Sequence, residues 1–448
     1  MEREERSRRA GELAEELTAR GVRAVALTWV DNAGVTRVKA VPVSRLEHAA
    51  AWGVGMSPVF DVFLLDDSIT SGRHAGGPTG DLRLYPDLDR FSVLAGQPGW
   101  AWAPIDRLTQ EGEPYPGCQR TFARTSADRA RAQGLELRMA FEVEWFVGTR
   151  DATPACSGPA YGMTRIIELS SYVDSLLEAL DAQEVPVEQF HPEYAPGQLE
   201  LSVAAADPVA AADRLVLVRQ TIRAVSHIYG YDVSFAPVVV AGQVGNGQHL
   251  HLSAWSDGHN LFSGGEGPYG LTSQGEAVLA GLVERLPALT AIGAPSVASY
   301  LRLVPGHWAA PYQCWGRENR ECALRLVTGS VGERDTAANA ELKCCDGSAN
   351  PYLLVGAVTA TATAALGGQN RLPAEVSVDP ASLPPDQQPP RLPQSVEAAV
   401  QALLADDVLA AALGEPLLDA FCAVRRAEAD LFEGMDPMAI AEASRWKY

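Results

Sequence analysis

The chain has 448 residues, 47% of them hydrophobic and 21% charged, an ordinary balance for a globular protein with room for two or three domains. A net charge of −20 argues against nucleic acid as the main partner. No stretch reaches the roughly 18 apolar residues of a membrane span; the longest candidate, Leu353 to Leu366, is broken by Thr and Gly, so no membrane partner is expected.

Met1-Glu-Arg-Glu-Glu-Arg-Ser-Arg-Arg9 reads as a charged helix start without the apolar core of a signal peptide. Residues 5–20 continue as an amphipathic helix. Val22 to Trp29 is a strand, and Asp31-Asn-Ala-Gly34 is a hairpin-type turn into Val35–Val41. Short strands and Gly-, Pro- and Asp-rich loops follow over 45–103. Glu111-Gly-Glu-Pro-Tyr-Pro-Gly117 reads as a linker, which divides the chain into an N-terminal domain, 1–112, and a larger one, 113–448. Arg120–Gln133 is helical. Ser170 is placed to cap a helix whose apolar face is Tyr172, Val173, Leu176, Leu177 and Leu180. A longer helix opens at Asp207-Pro208 and stops at Gly230, and another starts at Pro351. Residues 370–394 form a proline-rich loop, and helices fill 395–431. Strands and helices mix without regular βαβ alternation, so the fold class is α+β. Gly242-Gln-Val-Gly-Asn-Gly247 precedes a strand, which is the wrong context for a dinucleotide loop. Seven cysteines, an odd number, give no disulfide framework; they are expected as small buried hydrophobes in a reducing cytoplasm.

Four segments carry the chemistry. Phe141-Glu-Val-Glu-Trp-Phe-Val147, Gln198-Leu-Glu-Leu-Ser-Val203, His249-Leu-His-Leu-Ser253 and Asn339-Ala-Glu-Leu-Lys343 place acids, histidines or lysine on every second residue, with apolar residues between. Strand side chains alternate between faces, so each segment has one polar and one apolar face. One Glu-x-Glu alone is usually a solvated strand face. Their joint occurrence predicts a wall of carboxylates and imidazole backed by a core. With Glu193, folded toward Glu200 by a Pro-Gly turn, the wall holds Glu142, Glu144, Glu193, Glu200, Glu341 and His249, a donor set for two hard cations, Mg²⁺ or Mn²⁺. Arg302, Arg320, Arg325 and Lys343 supply the opposite charge. Divalent ions facing basic residues equip a site for phosphoryl transfer, or for clamping a substrate carboxylate.

These segments, together with Arg302-Leu-Val-Pro-Gly306, Trp315-Gly-Arg-Glu-Asn-Arg320 and Asn350-Pro-Tyr-Leu353, resemble the glutamine synthetase family, type I branch, over nearly the whole chain. The resemblance implies a β-grasp N-terminal domain and a catalytic domain built on a funnel of antiparallel strands. It also implies a homo-dodecamer with active sites between subunits. By motif, Glu144, Glu193 and Glu200 match ligands of the glutamate-side metal, and Glu142, His249 and Glu341 those of the nucleotide-side metal. His251 and Ser253 match contacts to ATP, Gly245 and Arg302 contacts to glutamate, and Arg320 and Arg325 the arginines that meet the phosphates. The implied reaction phosphorylates the γ-carboxylate of glutamate with ATP and then forms an amide with an amine.

The departures narrow this. Trp308 stands where ammonia-using members carry a flap glutamate, and the family's N-terminal Asp-Gly-Ser-Ser segment has only Gly55-Met-Ser-Pro-Val-Phe-Asp61 as its nearest stretch. Losing both anions weakens capture of a small hydrated cation, whereas an indole offers apolar area and a π face. Asn339 and Lys343 replace two arginines, so the bidentate geometry is lost. The pattern is similar to the FluG-like and nodulin-like subgroup and to ligases that make γ-glutamyl amides. An organic primary amine is therefore expected as the nucleophile. A long polyamine is disfavoured, because no acidic pair is evident for its far charge. The alternatives are glutamine synthesis from ammonia and a non-catalytic structural member of the family.

Overall fold

A computed structural model of the chain describes residues 3–368 and 370–448. The first sheet contains β1 (Ala24–Val30), β2 (Thr36–Pro42), β3 (Val54–Met56), β4 (Leu82–Pro86), β5 (Ser92–Val93) and β6 (Trp100–Leu108). Their order is β2-β1-β6-β4-β3, with β5 on β6. β1 and β6 run parallel, and the other pairs are antiparallel. Helices Arg3–Ala19 and Leu46–Trp52 bury Ala10, Leu17 and Leu46 against Val25, Leu27 and Leu84 of this sheet.

The second sheet contains β7 (Glu136–Gly148), β8 (Val187–Pro192), β9 (Gln198–Val203), β10 (Asp232–Ser234), β11 (Leu250–Ser256), β12 (His259–Asn260), β13 (Trp315–Arg317), β14 (Leu324–Val327) and β15 (Asn339–Leu342). Its order is β13-β14-β15-β11-β7-β9-β8, with β10 on β7 and β12 on β11. The strands are antiparallel apart from β13 and β14, which run parallel. Helices Gln119–Ala132, Pro208–Ile228, Ser273–Gly293 and Pro351–Leu366 contribute to the large core behind it. The architecture is mixed α+β.

Proline and a side-chain cap together fix two helix starts. Asp207 accepts from the Val209 and Ala210 N–H groups, and Asn350 from those of Tyr352 and Leu353. Ser170 does not cap. The helix Met163–Glu168 feeds directly into Ser170–Ala182, so Leu169 is the junction and its carbonyl already accepts from Val173. A further helix, Pro437–Ser444, follows the expected ones and is capped by Asp436. Residues 111–117 are tied back to the end of β6, where Glu113 O accepts from Thr109 N and Tyr115 N donates to Arg107 O. The seven cysteines are buried and unbridged. No helix among the described residues is long and apolar enough to cross a membrane.

The Asp31–Gly34 turn docks on the rest of the chain through a buried polar seam. Asn350 donates to the carbonyls of Val30 (2.9 Å) and Asp31 (3.1 Å). Arg425, buried, donates to Asn32 O (2.8 Å) and Pro295 O (3.2 Å) and pairs with Glu428 (3.1 Å). Glu428 also accepts from Leu65 N, 2.9 Å away. Gly34 has φ +82°, and a Cβ there would lie 2.1 Å from the Ser348 carbonyl. Gly34→Ala therefore adds left-handed strain to a backbone clash, and the expected loss is at least about 2 kcal/mol, read as a lower thermal midpoint. Burial, only partly opposed by Arg425, lifts the Glu428 carboxyl to about 7 from an ordinary 4.5. The folded chain then keeps a proton that the unfolded chain has released, so this group's contribution to stability falls as pH rises from 4.5 to 7. Glu428→Gln should flatten that part of the stability–pH curve, measured by denaturant unfolding across the range.

Candidate active site

Alternation along β7 decides which side chains meet. Leu137, Met139, Phe141, Val143, Trp145 and Val147 are all buried in the core, so Glu142 and Glu144 face the other way. The same rule on β9, β11, β14 and β15 buries Leu199, Leu201, Leu250, Leu252, Leu324 and Leu342, and turns Glu200, His251, Arg325 and Glu341 to the polar face. Register then lines the polar residues up across the sheet. Arg325 is opposite Glu341, Glu341 opposite His251, Glu144 opposite Glu200, and Glu200 opposite His191. His249, just before β11, accepts from Glu142 N through its carbonyl at 3.0 Å. Part of this face lines a cavity of about 380 Å³.

Ligand-type atoms gather there in two clusters. His249 Nδ1 lies 3.0 Å from Glu142 Oε2 and 3.2 Å from Glu341 Oε1. His191 Nε2 lies 3.1 Å from Glu193 Oε1 and 3.6 Å from Glu200 Oε1. Glu144, expected beside Glu193 and Glu200, stands apart from that second cluster. Gln198 Nε2 holds it at 2.7 Å, and its Oε1 is 3.9 Å from His249 Nε2.

The donor chemistry fits hard divalent cations, since oxygen dominates and the carboxylates are too crowded to ionise together unaided. Burial, followed by the charges of Glu142, Glu144 and Glu193, pushes Glu200 up to about 10. Burial also raises Glu144, with Glu193 adding to it and His249 opposing. Glu142 and Glu341 go the other way. Burial would lift both, but His249 and His251 hold Glu142 well below the carboxylate range, and Lys343 with the same two histidines does so for Glu341.

The basic residues frame these acids. Lys343 Nζ is 3.1 Å from Glu341 Oε1, and Arg325 bridges Glu341 (3.0 Å) and Glu318 (3.1 Å). Arg302 is buried, with Nη2 3.2 Å from His249 Nε2 and Nη1 without a protein partner. A Cβ on Gly247 would sit 2.5 Å from His249 Nε2, 2.7 Å from Glu144 Oε1 and 2.8 Å from Arg302 Nη2, so only glycine lets these three converge. Gly245 O accepts from Gln198, and a Cβ there would meet Pro237 O at 1.9 Å. Arg320 is exposed at the cavity edge. Trp308, at φ +51° and 46% exposed, lies with its ring 5.1 Å from that of Tyr194.

His251 and Ser253 continue the polar face of β11 and do not border the cavity. His251 sits 3.1 Å from Glu142 and 2.9 Å from Asn339; burial would lower it, but these neighbours and Glu341 lift it to about 9. Ser253 Oγ accepts from Trp255 Nε1 at 2.8 Å. Asp61, the nearest sequence candidate for an N-terminal anion, is spent on Arg107 and the Tyr115 hydroxyl. Sequence reasoning missed His191, Gln198 and Glu318. It also missed Tyr161, whose hydroxyl donates to Glu193 Oε2 (3.0 Å) and whose ring stacks on His191. His191 and Gln198 were findable as polar positions on β8 and β9. Tyr161 and Glu318 lie in loops with no periodic signal.

Residues 9–114 match the glutamine synthetase N-terminal domain family, and residues 116–439 match the glutamine synthetase catalytic domain family. The chain is 55% identical to the gamma-glutamylpolyamine synthetase GlnA3 of Streptomyces coelicolor, over 98% of this chain and 97% of that protein. It is 27% identical to the glutamine synthetase of Halobacterium salinarum, over 92% of this chain and 91% of that one. Among solved structures, a glutamine synthase homolog superposes with a TM-score of 0.86 at 32% identity, covering 95% of this chain and 99% of the other. An ADP complex of GmaS superposes at 0.84 and 28% identity, covering 95% and 97%. Matched at both ends and along nearly its whole length, the chain belongs to the glutamine synthetase family.

Proposed function

We propose that the chain is an ATP-dependent ligase that couples the γ-carboxylate of glutamate to an organic primary amine, giving a γ-glutamyl amide. One observation carries this over ammonia-dependent glutamine synthesis. The flap presents an exposed indole, tilted against Tyr194 at the cavity mouth, where a carboxylate would be needed to attract a small hydrated cation. The 55% identity to a gamma-glutamylpolyamine synthetase supports the same reading. Intact ligand clusters weigh against a structural role, since crowded buried carboxylates cost stability and would be the first residues lost from a site without function.

Two divalent cations, Mg²⁺ or Mn²⁺, held by Glu142, His249 and Glu341 and by Glu193, Glu200 and Glu144 or His191, would neutralise these acids and the phosphate oxygens of ATP. Arg302 offers its unpartnered Nη1 to a substrate carboxylate, beside the close-packed backbone of Gly245. Arg325, fixed by Glu318 and Glu341, and the exposed Arg320 face the phosphoryl group in transit, and Lys343, paired with Glu341, adds positive charge to the same cavity. The γ-carboxylate oxygen attacks the terminal phosphorus and ADP departs. The amine lone pair then attacks the acyl carbon and phosphate leaves. The proton the amine sheds passes to the departing phosphate, while Glu193, oriented by Tyr161 and His191, stays a ligand at the amine's side of the site. His251 and Ser253, further along β11, lie on the side assigned to ATP. A ring of identical subunits, with sites completed by neighbours, and a cytoplasmic location belong to the same proposal.

The objection to a long polyamine was the missing acidic pair. Glu321 and Asp379, remote in sequence, lie close enough for Asp379 to raise the Glu321 carboxyl after burial has done so, and the Trp308 N–H faces Glu321. Neither acid forms an ion pair within 4.0 Å among the described residues, so the two together offer a site for a second ammonium beyond the backbone of Trp308.

The test is ATP-dependent phosphate release across ammonium, monoamines and polyamines with Mg²⁺ and glutamate. Ammonium outperforming every amine would sink the amine reading. Trp308→Glu should raise the ratio of ammonium to amine use by about tenfold, the equivalent of one recovered charge contact. Glu321→Gln should raise the KM for a polyamine several-fold while leaving a monoamine nearly unchanged, as loss of a distal ion pair requires.

A further inference from the structure

Arg165, on the short helix Met163–Glu168, is 2% exposed and has no carboxylate within 4.0 Å among the described residues. Its guanidinium is instead surrounded by backbone carbonyls. Nη1 donates to Glu193 O and, at 2.8 Å, to Ala195 O. Nη2 donates to Gly158 O at 2.8 Å and Tyr194 O at 3.3 Å. Three successive carbonyls thus converge on one cation, an arrangement in which their dipoles repel unless a positive charge sits among them. A buried cation without a counter-ion is itself costly. An apolar side chain would fill the same volume at less cost, but it could not gather these carbonyls.

What the guanidinium gathers is specific. It ties the Glu193–Ala195 turn to the loop that begins at Gly158. The turn carries Glu193 and Tyr194, and the loop carries Tyr161. Tyr161 crosses from one to the other to reach Glu193 Oε2, and Tyr194 supports the Trp308 ring. The nucleotide-side cluster of Glu142, His249 and Glu341 sits on β7, just ahead of β11 and on β15, and receives nothing from Arg165.

We propose that Arg165 is a positioning residue for one half of the site only: it sets Glu193 and Tyr161 for cation binding and for the incoming amine, and leaves the nucleotide half untouched. The kinetic part of this rests on the ligase reading; the cation-binding part does not. Lysine keeps the charge but has three tetrahedral, strongly hydrated donors in place of a planar fork, so it cannot satisfy four carbonyls spread over two loops.

The experiment uses full-length protein with Arg165→Lys and Arg165→Gln, and Ile167→Ser on the exposed face of the same helix as control. Mn²⁺ binding without nucleotide is measured first. One class of site should weaken by about tenfold or more in both Arg165 variants and the other by less than about twofold, the size expected for losing an outer-shell support. In steady state the KM for the amine should rise by about tenfold with that for ATP nearly unchanged, and Arg165→Lys should fall between wild type and Arg165→Gln. Thermal unfolding monitors folding throughout. The proposal is overturned if both Mn²⁺ classes, or both KM values, move together, if neither moves, or if the wild type has a single class that Arg165→Lys leaves alone. A split in Mn²⁺ affinity without any amine-dependent phosphate release from the wild type would instead overturn the ligase reading and keep the positioning role.

Discussion

Crowded negative charge on one face of a sheet is the constraint around which the larger half of this molecule is arranged. Backbone register, set by apolar residues on the opposite face, forces Glu142, Glu144, Glu200 and Glu341 into one neighbourhood. The chain offsets this charge unevenly. Lys343, Arg325 and two histidines surround Glu341 and Glu142, which stay ionised. Glu144 and Glu200 have more distant partners, His249 at 3.9 Å and His191 at 3.6 Å, and burial with the neighbouring carboxylates drives both toward the neutral form. The site therefore has a half that is electrically complete and a half that is in deficit, and an added cation gains more in the second.

Precision and tolerance are also divided. The inner ligands sit on strands whose register allows no slip, and Gly247 and Gln198 hold Glu144, His249 and Arg302 at their closest approach. The mouth is made of loops. Trp308 and Ala310 both have positive φ, Trp308 and Tyr194 are each 46% exposed, and Tyr161 is 57% exposed. A strand-built interior beneath a loop-built entrance is the distribution expected when chemistry is common to a family and the nucleophile is not.

How much of this was legible in the sequence depended on periodicity. Acids alternating with Val, Trp and Leu reveal both the strand and the face, so Glu142, Glu144, Glu200 and Glu341 could be read directly. Helices opening at Asp207-Pro208 and Asn350-Pro351 announced themselves through backbone chemistry. Ser170 misled because a serine that looks like a cap is not needed where one helix runs into the next. Glu144 lies opposite Glu200 but outside the tight cluster of His191, Glu193 and Glu200, and Gln198, a neighbour only in the folded sheet, donates to its carboxylate. The pairing of Glu321 with Asp379 and the carbonyl cage around Arg165 depend on loops meeting across long sequence distances, and no local pattern encodes them.

The seam at Asp31–Gly34 bears on how such proteins diversify. Arg425 near the C-terminal end reaches the carbonyl of Asn32, Asn350 grips Val30 and Asp31, and Gly34 lies against Ser348 with no room for a methyl group. An N-terminal segment exchanged with that of a distant relative would have to bring matching partners for all three contacts at once. Recombination between the halves is thereby discouraged, and the two parts are bound to drift in sequence together, so new substrates are reached through loop changes at the entrance rather than by shuffling whole modules.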